Sequence, residues 1–167
     1  MEKFGKSQSV TRDEDVRFLT GTGRYVDDIA PKGALRGYVV RSSVAHGVIT
    51  ALDVSDARAA DGVALVLTLA DLEDGGVNVA MKATVVKNRD GSKGAEPERP
   101  VLARDKVRFV GEAVAFIVAD TLANARDAAE MIELEIEDLD AHVAVASGGP
   151  ALHPQAPDNI AFDFGLG

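Results

Sequence analysis

The chain has 167 residues, 46% of them apolar, few aromatics (Phe 6, Tyr 2, Trp 0) and a net charge of −9, which suits one ordinary domain with a core of Ala, Val, Leu and Ile. It has no cysteine, and this excludes a disulfide scaffold, a thiolate zinc site, a cysteine-held iron–sulfur cluster and a cysteine nucleophile within it. The acid excess argues against a general nucleic-acid binder. No apolar run approaches ~18 residues, so neither a membrane span nor an export signal is expected, and a cytoplasmic home is the default.

The first element is the stretch RFLTGTGRYVDDI, Arg17–Ile29. It reads as a short helix over Asp13–Phe18 with Thr11 as its cap, then a glycine turn, then a strand. It is no dinucleotide fingerprint, because the third glycine position holds Val26 and no apolar strand comes before Gly21. On an extended segment Asp27 and Asp28 point to opposite sides, so they do not share a metal easily and read as a turn pair that binds backbone amides.

Leu35–Val40 is expected to be a strand paired to a second strand over Gly47–Leu52. Ser55 then caps a short helix at Asp56–Ala60, Gly62 stops it, and Val63–Leu69 resumes as an apolar strand. Lys87–Pro100 has one alanine as its only aliphatic side chain and reads as a mobile loop. Ala113–Ala119 (AVAFIVA) is a continuous apolar run, as in a strand buried on both faces. Thr121 caps a helix whose apolar stripe is Leu122, Ala125, Ala129 and Ile132. From Ile132 the period changes, with Ile132, Leu134 and Ile136 alternating with Glu133, Glu135 and Glu137, as in a strand with one wet face. These elements predict two βαβ-like units with parallel strands and right-handed crossovers.

Beyond them, Ser147–Asn159 is rich in Pro and Gly and should cross a surface. In Asn159–Gly167 (NIAFDFGLG), Ile160, Phe162, Phe164 and Leu166 alternate with small or polar residues. That apolar face needs something to pack against, and left uncovered the segment is expected to self-associate or to be disordered.

Charge is distributed unevenly. Asp120–Asp140 holds eight acids and one arginine, whereas Met81–Gly111 holds eight bases and four acids. This describes two solvated faces or a docking surface with a polarity.

Motifs for chemistry are sparse. His46, His142 and His153 have no partner at i+2 or i+4 for a metal. Ser42, Ser43 and His46 lack the Gly-x-Ser-x-Gly elbow of a nucleophile. Glu112 stands at a strand entrance where a general base would be useful, and a turn glutamate explains it as well. No catalytic, cofactor-binding or metal residue is assigned. An independent hydrolase using His46 or Glu112 is the least supported reading.

Four blocks in order carry more. Arg12 and Glu14-Asp15 followed by RFLTGTGRYVDDI, then VRSSVAHGVI (Val40–Ile49), PVLARDKVRFVGEAVAFIVADT (Pro100–Thr121) and DNIAFDFGLG together resemble the amino-terminal region of the molybdenum hydroxylase large subunit. This family includes xanthine dehydrogenase, aldehyde oxidase and the aerobic carbon monoxide dehydrogenase large chain. The resemblance covers about Gly5 to Gly167 and is nearest the bacterial three-subunit, carbon monoxide dehydrogenase-like branch. Leu122 departs from it, standing where proline often follows the capping Thr.

The resemblance implies the α/β hammerhead fold, of α+β or α/β class, with a mixed sheet, βαβ-like units and few short helices. It implies an arm with a short helix over residues 1–20, the hammerhead over 21–146, and a linker over 147–167 leading toward a molybdopterin-binding domain. It further implies that the family's molybdenum centre and general-base glutamate lie in later domains. The 2Fe-2S and FAD groups are expected on partner subunits or domains, and no cofactor in this chain. Its expected partners are thus the molybdopterin-binding domains and the iron–sulfur and FAD subunits, with no nucleic acid and no membrane. A free-standing adaptor working with separately encoded catalytic chains is the alternative.

Overall fold

The computed structural model describes residues 12–81 and 86–165. Two compact units divide it, one up to Ala34 and one from Leu35. Thr11 and Leu166, named above as a helix cap and as part of an apolar face, lie outside the described residues.

In the first unit, helix α1 spans Asp15–Leu19 with Glu14 at its N-cap position. Glu14 pairs with Arg17 across one turn. The helix ends as the Thr20 hydroxyl donates to the Val16 carbonyl at 2.6 Å and Thr22 donates to the Arg17 carbonyl at 3.0 Å. Gly23 is required by packing, because a Cβ there would lie 2.1 Å from the Phe18 ring. The Phe18 and Tyr25 rings stack with centroids 5.0 Å apart. The chain then enters a 3-10 turn, Val26–Asp28, rather than the expected strand. A helical turn wins here because the Asp28 carboxylate accepts the Tyr25 N–H at 2.8 Å, a local bond that an extended segment cannot make.

The second unit holds the strands. These are β1 (Arg36–Arg41), β2 (Gly47–Asp53), β3 (Val63–Leu67), β4 (Ala80–Met81), β5 (Arg99–Pro100), β6 (Lys106–Val107), β7 (Ala113–Ala119) and β8 (Glu133–Asp138). One sheet runs β1-β7-β3, another β6-β2-β8, and β4 pairs with β5. Helices α2 (Ser55–Ala59) and α4 (Leu122–Glu130) cover the first sheet, while α3 (Leu69–Asp74) follows β3.

Mixed α/β architecture with few short helices is present, but the expected parallel crossovers are not. Every pairing between these strands is antiparallel. Strands β2 and β3 belong to different sheets, as do β7 and β8. A five-residue helix is only ~7.5 Å long and does not carry the chain over a neighbouring strand. Strand β8, with one wet face, suits an antiparallel sheet with one solvated side. Likewise β1 pairs with β7 and not with β2, Tyr38 lying opposite Ile117.

The main core joins Val54, Ala57, Val66, Ile117, Ala119, Ala125 and Ala128. Ala57, Ala125 and Ala128 have no exposed surface, and such small side chains let α2 and α4 approach the sheet closely. Ala129 and Ile132 pack on this core as expected, whereas Leu122 stays 41% exposed, so the stripe starts at Ala125. A second cluster of Ala103, Val107 and Val114 with Ile49, Leu134 and Ile136 binds the β6-β2-β8 sheet to β7.

Caps differ from expectation in two places, at α1, where Glu14 holds the N-cap position, and at α2. Thr121 accepts the Asn124 N–H at 3.1 Å, as its type predicts. Ser55, however, is the first residue of α2, and the Asp53 carboxylate receives its N–H at 2.8 Å and its hydroxyl at 2.6 Å. Gly62 turns the chain at φ +76° as foreseen.

The polar 87–100 segment is tied to the far end of the chain. Arg89 N–H donates to the Asp163 carbonyl at 2.9 Å, Ala95 N–H to Ala161 at 2.7 Å, and Asp163 N–H to the Asn88 side chain at 2.9 Å. These bonds supply anchorage that aliphatic side chains do not. Along 160–164, Ile160, Phe162 and Phe164 remain about half exposed. Among the described residues, no helix is long and apolar enough to cross a membrane.

Candidate functional site

The sequence candidates separate into structural braces and one cleft. Ser42 and His46 are both buried. The Ser42 hydroxyl donates to the Val44 carbonyl at 2.9 Å and accepts the Val44 N–H at 3.0 Å, a local turn between β1 and β2. His46 places Nδ1 2.8 Å from the Asp140 carbonyl. A carbonyl only accepts, so Nδ1 carries the proton in this contact. The imidazole thus fastens the chain leaving β8, and Leu139 N–H donates to the His46 carbonyl at 2.9 Å from the same side. Serine spends its hydroxyl and histidine its Nδ1 on backbone, and no bond joins the two as nucleophile and base.

Glu112 is buried in the turn before β7. Its carboxylate accepts the Arg108 N–H, and its carbonyl accepts the Ser42 N–H at 2.9 Å. Gly111 completes this turn at φ +89° and donates to the Ser42 carbonyl at 2.8 Å. The candidate base is therefore a clasp that holds the β1 end against the β7 start. His142 bonds the Ala146 carbonyl at 2.9 Å through Nε2. Asp28 binds the backbone as described, in the other unit.

His153 opens onto a cleft of about 470 Å³ with Arg41, Arg99, Arg108, Glu98 and Glu112 in its wall and Phe109 and Val101 on its apolar side. The cleft forms where β1, β5, the turn after β6 and the start of β7 converge on the 150–154 loop. Asn159 shapes that loop. At φ +60° its side chain accepts the Leu152 N–H at 3.1 Å and donates to the Gly148 and Pro150 carbonyls at 2.9 Å each. Arg108 reaches in from the other side, its Nε donating to the Leu152 carbonyl at 3.0 Å.

Titration in and around this region follows local bonds. His153 is held below the usual imidazole value, first by burial, then by the Arg108 and Arg99 guanidiniums, with His46 adding a little. Arg104 is raised by Glu98 and Glu73, which grip it from two sides.

The arginines of the cleft were not singled out from the sequence. The base-rich balance of Met81–Gly111 was the available signal for Arg99 and Arg108, whereas nothing local marks Arg41, which comes from a different strand. Among the described residues, no three of His, Asp and Glu approach closely enough to hold a metal ion.

The sequence pattern of the family described as aldehyde oxidase and xanthine dehydrogenase, a/b hammerhead domain, matches residues 20–140. The nicotine 6-hydroxylase large subunit of Paenarthrobacter nicotinovorans is 39% identical over 155 residues, 90% of this chain and 18% of that protein. The carbon monoxide dehydrogenase large chain of Afipia carboxidovorans is 40% identical over 146 residues, 87% of this chain and 16% of that one. The xanthine dehydrogenase molybdenum-binding subunit of Escherichia coli O157:H7 is 34% identical over 72% of this chain and 16% of its own. Among solved structures, a Cu,Mo-containing carbon monoxide dehydrogenase aligns with TM-score 0.70 at 35% identity, over 95% of this chain and 19% of that chain. Quinoline 2-oxidoreductase from Pseudomonas putida 86 aligns with TM-score 0.65 at 40% identity, over 84% and 17%. The chain thus spans 16–18% of the length of these curated relatives.

Proposed function

This chain belongs to the α/β hammerhead domain family of aldehyde oxidases and xanthine dehydrogenases, and from that premise we propose that it is the N-terminal, structural and inter-domain part of a molybdopterin-dependent oxidoreductase large subunit. One observation carries the reading: similarity runs over most of this chain but over about a sixth of each large subunit.

The residues present do not fit a metal centre of their own. There is no cysteine for an iron–sulfur cluster, and the described acids and histidines do not gather into a ligand set. On this reading molybdopterin would be held by further domains of the same subunit, with 2Fe-2S and FAD on partner subunits or domains, and the assembly would work in the cytoplasm. A molybdenum–pterin group would supply the oxidation of a substrate carbon. This chain's contribution is shape, through two sheets clasped by Ser42, His46 and Glu112. The half-exposed Ile160, Phe162 and Phe164 supply a surface for the neighbouring domain.

The reading frame beyond Gly167 tests the proposal. Several hundred further codons for a molybdopterin-binding region are expected. A stop codon directly after Gly167 would overturn the reading in favour of a free-standing adaptor that joins separately encoded catalytic chains. The reading also expects purified chain to contain neither molybdenum nor pterin by metal and cofactor analysis, and stoichiometric molybdenum would contradict it.

A further inference from the structure

The cleft beside His153 holds more positive charge than its wall neutralises. Half-buried Arg108 is fixed by two carbonyls, its Nε on Leu152 at 3.0 Å and a terminal nitrogen on Lys106 at 3.4 Å. Arg41 donates to the Gly111 carbonyl at 2.8 Å. Carbonyl acceptors orient a guanidinium without cancelling its charge. Of the acids in the wall, Glu98 is paired with Arg104 at 3.1 Å, while Glu112 is fixed on the Arg108 backbone N–H and keeps its charge, so the three arginines of the wall still exceed its two carboxylates. Among the described residues, no ion pair is formed by Arg41, Arg99 or Arg108.

We infer that this cleft binds a small organic oxyanion, its carboxylate or phosphate head on Arg99 and Arg108 and its apolar body against Val101 and Phe109. Guanidinium forks match such heads in two-point geometry, and Arg108 is oriented before any ligand arrives. A volume of about 470 Å³ exceeds what a bare phosphate fills and lies in the range of small-molecule sites. The exposed Phe109 ring and Val101 on the cleft's apolar side give that extra space an apolar wall. The depressed His153 titration comes first from burial, and Arg108 and then Arg99 add to it by opposing protonation of the ring.

The experiment follows the His153 ring by proton NMR in the 167-residue chain, its resonance assigned with His153→Gln. The charged groups that line the cavities bordered by His153 are Arg41, Arg99, Arg104, Arg108, Glu98, Asp105 and Glu112, and His46 also acts on the ring. Phenyl phosphate is expected to raise the His153 pKa saturably, because a seated anion favours the imidazolium, whereas NaCl at equal ionic strength gives only a small, unsaturable rise. Arg99 is exposed, so Arg99→Gln keeps the fold and should weaken phenyl phosphate by about 10-fold or more, as loss of a charged hydrogen bond does. Equal shifts from NaCl and phenyl phosphate, or wild-type affinity in both Arg99→Gln and Arg108→Gln, would overturn the site. Inorganic phosphate binding as tightly as phenyl phosphate would overturn the apolar half of the assignment.

Discussion

Strands β7 and β8 flank the same helix, yet they are held in opposite ways. Strand β7 pairs on both edges, with β1 and β3, and Val114, Ala115, Ile117 and Ala119 along it are fully buried. Strand β8 pairs with β2 alone, and only Leu134 and Ile136 turn inward while its glutamates face water. Proximity to α4 does not decide which sheet a strand joins. The apolar patterns differ with the sheets, β7 being buried along both of its faces and β8 having one wet face.

The sharpest way to break this contrast is to cut one methyl-rich side chain from each strand. Ile117 sits opposite both Tyr38 and Val66 and has no exposed surface. Ile117→Ala should cost about 2–5 kcal/mol of unfolding free energy, since the cavity lies where nothing collapses easily. Ile136→Ala, half-buried over the Ala103, Val107 and Val114 cluster, should cost about half as much. Urea unfolding monitored by circular dichroism measures both, and equal losses would mean that the two sheets share one core.

How much of this was legible in the sequence follows the same line. The AVAFIVA run, the Thr121 cap and the glutamate alternation of β8 were all readable, because each is a pattern within one element. Sheet membership was not, since it depends on which strands meet in space; β1 finds β7 more than seventy residues away, with Arg36 opposite Ala119. The same limit applies to the cleft. His153 and Glu112 were visible as residue types, but Arg41, Arg99 and Arg108 converge from separate strands and turns. Helix α3 was missed for a smaller reason: Val63–Leu69 reads as one apolar run, and Asp71 stands where the familiar cap pattern has Glu or Gln.

That missed helix is the next test. Thr68 accepts the Asp71 N–H at 3.4 Å, and the Asp71 carboxylate takes the Thr68 N–H at 2.7 Å and hydroxyl at 2.6 Å. Thr68→Ala should therefore cost about 1 kcal/mol, less than Ile117→Ala and measurable in the same titration. A loss near zero would show that α3 is held by Leu69 alone.

Acid should weaken the β3–α3 corner in a defined direction. The Asp71 carboxyl is held below its usual value near 3.8, first by the Thr68 hydroxyl and backbone, then by Arg58. Asp53 is lowered likewise by the Ser55 hydroxyl and N–H. A depressed folded value means that the stabilisation is complete above the unfolded value and drains as pH falls below about 4. Urea midpoints between pH 6 and pH 3 should fall on the acid side, and Asp71→Asn should flatten that fall. An unchanged acid limb in Asp71→Asn would remove Asp71 from the account.

The smallest effect tests the wet face of β8 itself. Asp53 lies directly opposite Glu133 across the β2–β8 pair, and like charges in that position repel. Glu133→Gln should raise the urea midpoint slightly at low salt. Both side chains stand in solvent, so the gain should vanish at about 1 M NaCl, where the screening length falls to ~3 Å. The salt dependence separates repulsion from packing, because a change in packing would persist at every ionic strength. A lower midpoint at low salt would mean that the glutamate contributes a contact to β8. In that event the face would be built for the stability of this sheet, and the contrast with β7 would rest on burial alone.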